Sequence, residues 1–110
     1  MNAQIYYTEY GNTEARDLRH DVSYNDKEPS QEEFESMYEH VGSQEVNSDN
    51  HNEILNAIWQ AWNRGSGGES EAFINAETRS LSVADVVVIE DTAYLCVSFG
   101  WEEIDVEAGE

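Results

Sequence analysis

The chain has 110 residues, enough for one domain with its own core, and carries 24 acidic residues against five basic ones, a net charge of −19. Such a surface repels nucleic acid and anionic membrane and attracts a basic partner, such as the cationic face of a DNA-binding protein. A hydrophobic fraction of 39%, with three Trp, six Tyr and three Phe, excludes a wholly disordered chain.

Residues 3–8, AQIYYT, are rich in β-favouring side chains and predict a first strand that ends near Gly11. Residues 11–29 are polar, hold Arg16, Arg19 and Lys27, and offer Leu18, Val22 and Tyr24 as apolar anchors. They read as a long connection with room for one short helix or irregular strand. The stretch PSQEEFESMYEHVG carries two signals. Ser30 with Glu33 forms a capping-box pattern, Phe34, Met37, Tyr38 and Val41 share a helical face, and Gly42 suits a helix stop. A strand from Met37 to Val46 is the rival reading.

The clearest helix spans residues 50–64, with Asn50 as cap, Glu53 three residues on, and an apolar stripe of Ile54, Leu55, Ile58, Trp59 and Trp62. Both tryptophans are expected in the core. Residues 65–72 read as a flexible loop. Its glycines resemble a phosphate loop only in composition, because no Lys follows them and Glu69 and Glu71 flank them.

VADVVVIE and TAYLCVSF are two β-rich runs joined by a short acidic turn at Asp91, and they predict a hairpin whose strands are apolar on both faces and therefore central or wrapped. Gly100 marks a turn or bulge, WEEIDV opens a further strand, and residues 106–110 are expected to fray. Asp85 sits where side-chain acceptors fix the start of a strand. Arg79, the lone cation between Ser66 and Glu110, is expected to pair with a carboxylate or cover a tryptophan face.

His20, His40 and His51 lack zinc-ligand spacing, and no cofactor, metal set or catalytic constellation is implied. Cys96 stands alone among apolar neighbours, which predicts a small buried hydrophobe and fits a reducing cytosol. No segment approaches the roughly 18 apolar residues of a membrane span, and MNAQIYYTEY lacks a basic leader pattern, so a cytoplasmic location is expected.

The stretch Arg79-Ser80-Leu81-Ser82-Val83-Ala84-Asp85-Val86-Val87, then Tyr94, then Phe99-Gly100-Trp101, resembles the signature of the YodL-like domain family. Members carry SLSV, a small Gly or Ser, DVV, and a later FGF. Here Ala84 stands for the Gly or Ser and Trp101 for the second Phe. LNAIWQAWN, ending in Trp62 and Asn63, resembles the family's helix, and YEHVGSQEV a preceding strand, so the likeness covers residues 37–104. It implies a strand near residues 37–46, an origin in phages, plasmids or other mobile elements, and no established activity.

The resulting expectation is a single α+β domain. A small, curved, mostly antiparallel sheet, or a partly open barrel, packs on one main amphipathic helix. The functional expectation is a non-enzymatic interaction domain binding a basic host or defence protein, with carboxylates imitating DNA phosphates as its sharpest form. Its surface would include Glu32, Glu33, Glu35, Glu39, Glu45, Glu90, Asp91, Glu102 and Glu103. The alternative is an accessory domain whose acidity is solvation in a high-salt cytoplasm. A ligand binder or enzyme would need a deep pocket holding Asp85, Arg79 and a tryptophan.

Overall fold

The computed structural model describes residues 1–9, 11–65, 67–98 and 100–107. In chain order they form β1 (Asn2–Thr8), α1 (Thr13–Asn25), α2 (Gln31–Met37), β2 (Tyr38–Glu45), α3 (His51–Ala61), α4 (Glu71–Ala76), β3 (Val86–Ile89), β4 (Thr92–Val97) and β5 (Gly100–Ile104). The strands make one antiparallel sheet in the order β2-β1-β3-β4-β5.

The centre of that sheet follows from the valine run. Successive side chains of a strand point to opposite faces, and all four residues of β3 are buried. Val87 and Ile89 join Ala3, Ile5 and Tyr7 in a core closed by Ile54, Leu55 and Ile58 of α3, by Trp62 at its C-cap and by Phe73 of α4. Val86 and Val88 join Leu95 and Ile104 in a second core, closed by Leu18 and Val22 of α1 and Phe34 of α2. Both faces are therefore covered by helices. The structure has the expected α+β architecture, an antiparallel sheet packed on the amphipathic helix α3; the sheet is not closed into a barrel, and α1, α2 and α4 complete its cover, because a sheet apolar on both sides must be covered on both.

Residues 30–45 carry both of the signals read in them. Ser30 accepts the Glu33 N–H and Glu33 reaches back to the Ser30 N–H, so the capping box starts α2. The helix lasts two turns and the chain passes at Tyr38 directly into β2. The ladder between β1 and β2 shifts register between Ile5 and Tyr6, at a bulge that accounts for the weak alternation of β2. Gly42 stops no helix. It lies in β2 facing the indole of Trp62, and a Cβ there would sit 2.7 Å from the ring.

The polar connection after β1 is a 13-residue helix, with the Asn12 side chain accepting from the Glu14 and Ala15 N–H groups. Its anchors divide: Leu18 and Val22 are buried, and Tyr24 is exposed against His20. The loop expected over 65–72 gives way at Glu71 to α4, capped by Ser70, because burying Phe73 against Trp62 holds the turn in place. At the chain's end, Val106 is buried and the Glu107 N–H donates to Gln31, so residues 106 and 107 are held; residues 108–110 of the expected frayed tail lie outside the described residues.

The Gly42–Trp62 fit is tight on a wholly buried ring. Gly42→Ala is expected to destabilise the fold by about 1–3 kcal/mol, read as a lower urea midpoint with unchanged slope, and Trp62→Phe in the same chain should recover part of the loss.

Candidate functional site

The densest polar cluster lies where β3 begins. Asp85 has no exposed surface, and its carboxylate is fully engaged. Arg79 donates to it through both terminal nitrogens, Nη1 to Oδ2 at 2.6 Å and Nη2 to Oδ1 at 2.8 Å. The Ser82 N–H donates to Oδ2 at 2.8 Å and the Thr8 N–H to Oδ1 at 3.1 Å. Burial pushes the carboxyl above its ordinary value, while Arg79 and these N–H groups act the other way.

The guanidinium is held as firmly as its partner. It lies over the Tyr7 ring, 4.1 Å from the centroid, rather than over a tryptophan. It also donates to the carbonyls of Ser80 and Thr8 and to the hydroxyls of Ser82 and Thr8. Thr8 Oγ1 accepts a further bond from Arg19 of α1. One buried ion pair thus ties the end of β1, the approach to β3 and a helix on the far face.

The remaining signature residues are placed around this pair. The Leu81 side chain is buried in the α3 core and its N–H donates to the Trp62 carbonyl. The Ser80 hydroxyl accepts from the Arg64 N–H. Val83 packs against the second core. Ala84 is buried at a φ of 82°, in the left-handed region, and its carbonyl accepts from the Tyr38 hydroxyl. That backbone conformation favours glycine, so Ala84 holds it at a cost. Phe99 lies outside the described residues. Tyr94 lies on β4 and Gly100 and Trp101 on β5, with Trp101 opposite Cys96, whose N–H donates to the Asp85 carbonyl.

As a chemical site the cluster is closed. The cleft beside Arg79 measures about 170 Å³, is lined by Tyr7, Thr8, Glu39 and Thr78 besides Arg79, and holds neither Asp85 nor a tryptophan. Small-molecule sites run from about 300 Å³ upward. The deep pocket that a ligand-binding reading needs is not built here.

A second, open feature lies between α3 and β5. Trp59 and Asn56 of α3 face Trp101 and Gly100 across a cleft of about 300 Å³ floored by Cys96 and Val97. Trp59 is 42% exposed, which corrects its assignment to the core. The inward stripe of α3 is Ile54, Leu55, Ile58 and Trp62, and Trp59 stands on its flank. Beyond the cleft, His51 bonds the Tyr94 hydroxyl at 2.6 Å and lies 3.2 Å from the Glu90 carboxylate.

The acidic residues expected to share one surface do not. Glu32 and Glu35 are exposed on α2, Glu39 and Glu45 on edge strand β2, and Glu102 and Glu103 on the opposite edge strand β5. Glu33 belongs to the capping box and pairs with Lys27 at 3.1 Å; Glu90 belongs to the β3–β4 turn with Asp91 and faces His51.

Thr8, Tyr7 and Arg19 are the participants the sequence did not reveal. Thr8 meets Asp85 across 77 positions of chain, so no local spacing signals the contact. No family model, no curated protein and no solved structure matches the chain.

Removing one partner of the ion pair leaves a desolvated charge. Arg79→Met and Asp85→Leu are each expected to cost about 3–5 kcal/mol, and the double replacement to cost clearly less than their sum; urea unfolding of the three variants checks it.

The buried thiol of Cys96 generates a pH prediction. Burial, reinforced by Asp85, pushes it up to about 12, whereas an unfolded thiol titrates near about 8.5. Between these values the folded chain holds a proton that the unfolded chain has lost, so stability falls as pH rises through that window. The urea midpoint should drop from pH 8 to pH 11, less steeply in Cys96→Ala, and alkylation of Cys96 at pH 8 should track unfolding.

Proposed function

We propose that the chain is a non-enzymatic interaction domain of the YodL-like kind, from a mobile element or virus, that engages a basic host or element-encoded protein in a reducing cytoplasm. The observation that carries this reading is the division of labour among its charges. The fold uses few carboxylates: Asp85 in the buried pair and Glu33 in the cap with Lys27. Glu32, Glu39, Asp91, Glu102 and Glu103 stand exposed and outside any ion pair among the described residues. An uncompensated field of this size steers cationic proteins toward the domain. Of the family likeness, the Arg79–Asp85 pair and the left-handed Ala84 give the SLSVAD stretch a structural purpose that such a signature requires.

A second reading, solvation in a high-salt cytoplasm, is favoured by one observation: exposed acids occur on all four helices, at Glu14, Glu32, Glu53 and Glu71, as well as on both edge strands. A DNA-like stripe would concentrate them instead.

Circular dichroism with urea unfolding, from low salt to multimolar KCl, separates the two. The interaction reading expects a cooperative fold at low salt, together with binding of a basic protein that weakens as salt rises. Folding only at multimolar KCl would overturn it in favour of solvation.

A further inference from the structure

We infer that the cleft between α3 and β5 is the docking site of the basic partner, and that its occupant is an extended, arginine-bearing segment added to the free edge of β5. This rests on the interaction reading above and gives it a location.

The backbone supplies the first argument. β5 ends the sheet, with β4 as its sole ladder partner among the described residues. An end strand presents N–H and C=O groups that a further strand can pair. β2 ends the sheet on the other side, but α4 lies beside it and the bulge at Val41 bends it.

The side chains supply the second. Trp101, opposite Cys96 in the ladder, turns toward α3 and meets the exposed Trp59 across the cleft. Indoles lining a cleft beside a free edge are what a stacking side chain of an added strand would reach. Aromatic anchors beside a polar rim are also the usual energetic centre of an interface.

Charge then selects the occupant. Glu102, Glu103, Asp105 and Glu107 are exposed along and just beyond β5, and no Lys or Arg occurs from Ser80 to the end of the chain. A second copy of this edge is repelled, which excludes pairing of β5 with itself. A neutral strand would desolvate these carboxylates without pairing them. Arginine meets both demands, because its guanidinium stacks on indole and bonds carboxylates through two parallel N–H groups.

The test uses the full chain and a ten-residue peptide alternating Arg and Thr, with an Arg/Ala helical peptide of equal charge as comparison, at about 150 mM salt, where exposed long-range attraction is screened. Expected are at least tenfold slower amide exchange at Trp101 and Glu103, whose N–H groups point away from β4, on adding the alternating peptide, tenfold weaker binding by Trp59→Ala, and weaker binding of the helical peptide. Trp59 is exposed, so its replacement leaves the core in place; Glu32→Gln on α2 should change affinity less than twofold. Equal binding of both peptides, with Trp59→Ala unaffected and β5 amides unprotected, overturns the docking site and leaves the interaction reading standing. Binding of neither peptide by the folded chain overturns both.

Discussion

Taking a carboxylate out of water costs several kcal/mol unless every lone pair finds a donor. Asp85 meets that condition with five bonds drawn from three residues, Thr8, Arg79 and Ser82. The arrangement is mutually dependent. The carboxylate is tolerable because Arg79 faces it in a bidentate grip, and Arg79 can lie half-buried because Tyr7, Thr8 and Ser82 surround it. The start of β3 is fixed where the pair sits, so the register of β3 against β1 and β4 is set there. Both cores then follow, since the alternate valines of β3 feed one each.

Much of this was readable from the chain. The valine run and the later aromatic run fixed a central hairpin by composition alone, because strands apolar on both faces have no other stable place. Asn50 and Ser30 announced their helices through cap chemistry that depends on neighbours three residues away. What stayed hidden depends on distant residues. The short helix at Glu71–Ala76 has weak local signals and is held by Phe73 against Trp62. Gly42 looked like a helix stop because its true reason, an indole arriving from α3, lies 20 positions downstream. The functional half was less legible still: carboxylate positions could be read off the chain, but their division between two opposite sheet edges could not.

The fold and the charge are nearly independent of one another. Among the described residues Asp85 is the one buried acidic side chain, and the exposed acids are spread over the helices and both edge strands. Such a molecule carries its self-repulsion on the outside and its cohesion in the valine, isoleucine and aromatic contacts within. Like-charged edges also keep the open sheet from extending itself, a hazard for a sheet that ends in two free strands. The same charges that forbid a second copy leave a cationic strand as the complementary guest.

The three tryptophans occupy three different environments. Trp62 is sealed between Gly42, Tyr7 and Phe73, Trp59 stands in water, and Trp101 lies between these extremes on the sheet's last strand. Indole emission shifts to longer wavelength as its surroundings become wetter. The chain is therefore its own two-channel optical probe: blue emission reports the integrity of the interior, and red emission reports events at the outer cleft, with no label attached.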